Sequence, residues 1–126
     1  MRYFDTQSST RVGLIGLGVG TIADYARPDD VYRFYEINPA VELVARQHFT
    51  YLADCRGHCD VALGDARLLL ERELSQQFDV LVLDAFTGDA PPIHLLTREA
   101  FEIYLMHLQP KGVIAAHVTN DYLDLA

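Results

Sequence analysis

The stretch Val12-Gly13-Leu14-Ile15-Gly16-Leu17-Gly18-Val19-Gly20-Thr21 decides how this chain is read. A short apolar run leads into alternating glycines at positions 16, 18 and 20. Apolar residues over 11–15 predict a buried strand. Glycine after a strand lets the backbone turn sharply and approach a ligand with no Cβ in the way. Glu36 stands 20 residues after Gly16, at the end of the next apolar run, in Tyr35-Glu36-Ile37-Asn38. A carboxylate at the tip of a second strand accepts hydrogen bonds from both hydroxyls of a ribose. It also repels a ribose phosphate, which disfavours NADP. The pattern marks where a nucleoside sits before it marks any chemistry.

Composition narrows the classes. A chain of 126 residues, 50% hydrophobic and 22% charged, suits one globular domain with one core. The net charge of −8 speaks against nucleic acid and against an anionic membrane surface, both of which are bound mainly through Lys and Arg. It is compatible with a cationic substrate such as an amine or a sulfonium. No run is apolar enough to span a bilayer, and residues 1–8 lack the apolar centre of a secretory signal, so the expected location is cytoplasmic. The cysteines of Cys55-Arg56-Gly57-His58-Cys59 lack the paired spacing of a zinc site. No metal is expected, and the segment reads as a surface loop with two reduced thiols.

Working outward, residues 1–10 form a polar lead-in and 11–126 a single nucleoside-binding domain. A helix is predicted over 19–27, stopped by Pro28-Asp29-Asp30, and a second strand over 31–37. Asn38-Pro39 supplies a cap and a first helical residue, and Val41, Val44, Ala45 and His48 follow at helical spacing. Next come a third strand over 60–63, a helix over 66–74 and a continuous apolar strand over 78–83. Irregular chain over 85–92 leads to a helix capped by Thr97 and running to about 108; a turn at Pro110-Lys111-Gly112 precedes a fifth strand over 113–118. This alternation predicts an α/β fold: a Rossmann-like, doubly wound parallel sheet, truncated to about five strands in the order 3-2-1-4-5.

Ligands of such sheets bind outside the carboxyl ends of the strands. Four segments meet there: the glycine turn, Glu36-Ile37, Gly64-Asp65-Ala66, and Asp84 with the residues after it. The expected cofactor-binding residues are Gly16, Leu17, Gly18, Gly20, Glu36, Ile37, Gly64, Asp65 and Ala66. Glu36 also reads as a solvated strand end or a helix-cap partner. Asp65 reads either as the cap of the following helix or as an acceptor for an exocyclic adenine amine. Asp84, carried out of the core by the fourth strand, can bind a cationic amine or take its proton; its other reading is a loop cap. Asp89 and His94 read as turn and structural residues, Arg67 as a solvated helix residue, and Phe101, Tyr104 and Leu105 as core.

Together, Gly16-Leu17-Gly18-Val19-Gly20, Tyr35-Glu36-Ile37-Asn38-Pro39, Gly64-Asp65-Ala66-Arg67 and the run Leu83-Asp84-Ala85-Phe86-Thr87-Gly88-Asp89-Ala90-Pro91-Pro92 resemble the spermidine synthase family. The likeness is to its bacterial branch often fused to a transporter-like segment, and His94-Leu95-Leu96-Thr97-Arg98-Glu99-Ala100-Phe101 strengthens it. The resemblance implies a class I methyltransferase-like fold. It also implies a donor of the S-adenosylmethionine type, usually decarboxylated, and transfer of its aminopropyl group to a polyamine. Glu36 then holds the ribose and Asp65 the adenine amine. Asp84 is the catalytic base and, with Asp89, faces the polyamine. Val19 stands where well-studied members carry an Asp that grips the donor's amine, so a methyltransferase using intact S-adenosylmethionine is an alternative. A non-catalytic adenosyl-binding domain is another. A sheet ending at strand five leaves an edge and an apolar face, from which a homo-oligomer is expected.

Overall fold

The computed structural model describes residues 9–17, 20–83 and 95–116. Its strands are β1 (Arg11–Ile15), β2 (Val31–Glu36), β3 (His58–Leu63), β4 (Phe78–Leu83) and β5 (Leu108–Ala116). Its α-helices are α1 (Pro39–His48), α2 (Ala66–Arg72) and α3 (Arg98–Met106). The strands form one sheet in the order β3-β2-β1-β4-β5, every neighbouring pair parallel. The predicted fold class and strand order are therefore observed.

Apolar side chains on both faces of the central strands produce two cores. Val12 and Leu14 of β1 pack with Tyr32, Phe34, Ala23 and Ala45 on one face. Ile15 packs with Leu81, Leu83, Leu70 and Tyr104 on the other. A strand covered on both faces is a continuous apolar run rather than an alternating one, as 78–83 predicts. Local capping sets the helix starts. Asn38 accepts from the Ala40 N–H at 2.9 Å, Asp65 from Leu68 at 3.2 Å and Thr97 from Ala100 at 3.0 Å.

Four sequence expectations are corrected. The helix expected over 19–27 is only a 3-10 helix at Thr21–Tyr25. The Arg27 N–H is taken by the Asp30 carboxylate at 2.9 Å, and Ala26 is already extended. β3 starts at His58 rather than at 60, because the His58 N–H donates to the Asp30 carbonyl at 2.8 Å. Pro110-Lys111-Gly112 lies within β5 instead of before it: Phe78 pairs with Leu108 but Val80 with Val113, so the intervening residues bulge out of register. Cys55 and Cys59 form a disulfide rather than standing as reduced thiols. The loop around Gly57 brings their Cα atoms to 6.4 Å, within bridging reach.

Two buried polar groups tie the sheet ends. Asp30 accepts from the Thr10 N–H at 2.9 Å and from the Arg27 N–H and guanidinium. Burial pushes the Asp30 carboxyl up, but these hydrogen bonds and the Arg27 charge outweigh burial and hold it below the usual carboxylate range. His107 is 2% exposed. Its Nδ1 accepts from the Gln76 N–H at 3.0 Å while its Nε2 lies 2.7 Å from the Leu70 carbonyl, so the network assigns the proton to Nε2. The residue joins the end of α2, the approach to β4 and the start of β5. Replacing His107 with Phe is expected to cost about 2 kcal/mol, because a buried main-chain carbonyl and a part-buried main-chain N–H lose their partner. Urea unfolding checks this, and a loss below about 0.5 kcal/mol contradicts it.

Candidate functional site

The site is assembled from three strand-end turns. At the end of β1, the Gly16 N–H donates to the Tyr35 carbonyl at 2.8 Å. Gly16 has φ 105° and Gly20 φ 85°, the left-handed region that side chains resist, so the turn depends on glycine there. Leu17, between them, is buried.

At the end of β2, Glu36 is 9% exposed, which overturns its reading as a solvated strand end. One carboxylate oxygen accepts from the Leu17 N–H at 2.9 Å, the other from the Asn38 N–H at 3.0 Å. Its main-chain carbonyl accepts from the Gly64 N–H at 2.8 Å, which brings in the turn after β3. There Asp65 caps α2, as its structural reading foresaw. The Ala66 methyl is buried in the core, so only its main chain faces this edge. Ile37, Leu63 and Leu68 are exposed at the same edge, at 65%, 45% and 52%. Leu63 directly precedes Gly64-Asp65, and the Leu68 N–H is the one that the Asp65 cap accepts.

Beneath this edge, Tyr104 donates to the Leu95 carbonyl at 2.8 Å. Burial, reinforced by the nearby Asp65 charge, pushes its phenol up to about 12. Tyr104 and Phe101 pack as core, as expected, whereas Leu105 is 61% exposed. Arg67 is not a solvated helix residue: its side chain is 26% exposed and reaches Glu71 at 4.0 Å and the Thr97 hydroxyl at 3.4 Å.

Ile15 is in register with Tyr35 on one side and Leu83 on the other, so the carboxyl ends of β1, β2 and β4 are level. Asp84 follows Leu83 directly in sequence, but Gly18, Val19, Asp84, Asp89 and His94 lie outside the described residues. Among the described residues no group of three His, Cys, Asp or Glu side chains can hold a metal, and no helix is long and apolar enough to cross a membrane. A cleft of about 380 Å³, lined by Val12, Ile22, Tyr25, Tyr32, Val80 and Val82, opens beside Thr10 and Asp30. Those last two stand before β1 and β2, at the opposite end of the sheet.

The sheet order, the glycine turn and the acidic tip of β2 define the class: this is a class I methyltransferase-like fold, of the kind that spermidine synthases share. No protein-family model matches the chain. The chain is 32% identical over 112 residues to the polyamine aminopropyltransferase of Vibrio vulnificus, a match that covers 85% of this chain and 37% of that protein. Among solved structures, a probable spermidine synthase from Corynebacterium glutamicum superposes with a TM-score of 0.71 at 27% identity, over 86% of this chain and 39% of that one. Human methyltransferase-like protein 13 in complex with SAH superposes with a TM-score of 0.72 at 21% identity, over 86% and 54%. The chain thus spans little more than a third of the curated relative, 37% of its length.

Proposed function

We propose that the carboxyl edge of this sheet binds an adenosyl sulfonium donor, and that the domain transfers an aminopropyl group from decarboxylated S-adenosylmethionine to a polyamine amine. The observation that carries the reading is the convergence of Leu17, Glu36 and Gly64 at one edge through hydrogen bonds of 2.8–2.9 Å. The donor fits what is present. A carboxylate offers about four acceptor positions and Glu36 spends two on main-chain N–H groups, which leaves acceptors for two ribose hydroxyls. Asp65 then accepts from the exocyclic amine of adenine, and Ile37 offers an apolar surface to the base. The similarity to an aminopropyltransferase and to a probable spermidine synthase supports the choice of reaction.

In that reaction the amine nitrogen attacks the propyl carbon bonded to the positive sulfur. The new N–C bond forms as the C–S bond breaks, and the electron pair goes to sulfur, leaving neutral methylthioadenosine. The nitrogen must then lose a proton, which Asp84 accepts. Asp89 holds the cationic remainder of the polyamine. Alignment of the amine with the breaking bond supplies much of the rate.

A second reading, methyl transfer from intact S-adenosylmethionine, is favoured by Val19, which brings no negative charge to the donor's amine. The SAH complex of the human methyltransferase-like neighbour supports the same reading. Incubation with each donor plus putrescine separates them. Methylthioadenosine formed in step with spermidine is the expected result. S-adenosylhomocysteine formed from the intact donor replaces the proposal with the second reading. Calorimetry that detects no adenosyl compound on the protein eliminates both and leaves a non-enzymatic domain.

A further inference from the structure

We propose that the Glu36 carboxylate is a positioning group that fixes the glycine turn after β1 to the start of α1 before any ligand arrives, while the main chain of the same residue pairs with the turn after β3. Its side chain and main chain act on different partners. One carboxylate oxygen receives the Leu17 N–H of the glycine turn at 2.9 Å. The other receives the Asn38 N–H at 3.0 Å, and Asn38 in turn caps α1 through its own side chain. The Glu36 carbonyl receives the Gly64 N–H, immediately before Asp65, the cap of α2. A single residue therefore connects the turn after β1, the start of α1 and the turn after β3.

The chemistry of the carboxylate makes this arrangement hard to replace. Ionised carboxylate is acceptor-only at both oxygens, and both oxygens face N–H donors. A glutamine of the same shape accepts at one end only, and its NH₂ meets an N–H donor at the other. Bonds from main-chain N–H to a buried carboxylate are also the stronger kind, because the acceptor is charged and solvent is excluded. A ligand that later engages the same carboxylate meets acceptors already held in place, so the ordering cost has been met in folding rather than in binding.

Only the ligand arm of the test rests on the adenosyl reading above. Amide hydrogen exchange on the full chain without ligand compares the native protein with Glu36→Gln. At least one of the Leu17 and Asn38 amides is expected to exchange about tenfold faster in the variant. The Gly64 amide is expected to keep its native rate, because its acceptor is the main-chain carbonyl of Glu36. Native rates at both Leu17 and Asn38 overturn the proposal, and so does equal acceleration of Gly64, which signals general loosening. Should Glu36→Gln fail to fold, Glu36→Asp serves in its place. It keeps the charge, but its shorter side chain cannot reach both donors, so the same pattern is expected and native rates at both amides again overturn the proposal. Titration of both proteins with S-adenosylhomocysteine forms the ligand arm. Weaker binding by the variant supports coupling of the brace to the ligand. If the native protein binds no adenosyl compound while the exchange pattern holds, the adenosyl reading fails and the positioning role stands.

Discussion

Replacing Asp84 with Asn is expected to slow aminopropyl transfer by about 10²–10⁴-fold while leaving donor affinity unchanged. Five of the six positions over Phe78–Leu83 are apolar, and Leu83 ends level with Ile15 and therefore with the glycine turn. The next residue in sequence is an acid. A polyamine nitrogen is a nucleophile only when neutral, and after attack it carries a proton that has to leave. Asn has the shape of Asp and can still orient the amine by hydrogen bonding, but it cannot accept the proton. Steady-state rates at saturating donor, with calorimetric donor affinity measured in parallel, separate chemistry from binding. A variant with the native rate removes Asp84 from the mechanism. Under the proposed reaction, Asp89→Asn is expected to give the contrast: attraction for the distal cation weakens, and the amine KM rises more than kcat falls.

The parts of this fold legible in the sequence are those specified locally. Asn38, Asp65 and Thr97 each announce a helix start within three residues, and all three caps are present. Alternation of short apolar runs with helices was enough for the sheet order, because right-handed crossovers leave few other arrangements. The glycine turn and Glu36 were legible for the same reason, since each is a strand-end signal. What was not legible depends on partners far along the chain. The residues 19–27 have helical composition, yet a carboxylate at Asp30 captures the Arg27 N–H and the helix never forms. The bulge in β5 follows from its pairing with β4, about 30 residues earlier, rather than from Pro110 alone. The Cys55–Cys59 pairing depends on how the Gly57 loop folds back, which residue spacing does not specify. The brace at Glu36 joins residues 19 apart and appears only when two strand ends are level.

The least legible element yields the largest expected change in stability. Glu73 lies 40 residues from Arg33 and 38 from Tyr35 in sequence but meets both over one face of the sheet. The Arg33 guanidinium pairs with Glu73 at 2.7 Å and with Asp60 at 2.6 Å. The Tyr35 hydroxyl donates to Glu73 at 2.8 Å and receives Arg33 Nε at 3.1 Å, and the Gln76 amide donates to Glu73 at 2.9 Å. The Arg33 and Glu73 side chains are only 24% and 17% exposed, so water cannot replace a lost partner fully. Glu73→Ala therefore leaves a half-buried guanidinium with only the more exposed Asp60 as its anionic partner, and a buried phenol without its acceptor. A cost of about 3 kcal/mol is expected, which lowers Tm by about 10 °C. Burial pushes the Glu73 carboxyl up, but hydrogen bonds from Arg33 and Tyr35 outweigh burial and hold it below its ordinary value of 4.5. Its contribution is accordingly complete above that value and is lost as pH falls through the lower folded value. Glu73→Gln is expected to flatten the acid end of the stability profile, leaving the smaller slope due to Asp30, whose carboxyl is also held low. The combined replacement Arg33→Met, Tyr35→Phe and Glu73→Leu removes the charges together with the groups that need them. It is expected to recover most of the loss, because well-packed apolar side chains avoid the desolvation that Arg33 and Glu73 have to offset, and the Asp60 left behind is 56% exposed and solvated. Thermal unfolding of the two variants tests this. Recovery in the combined variant shows that polar groups left short of partners destabilise Glu73→Ala, whereas equal losses in both show that the polar contacts of the cluster are themselves net stabilising.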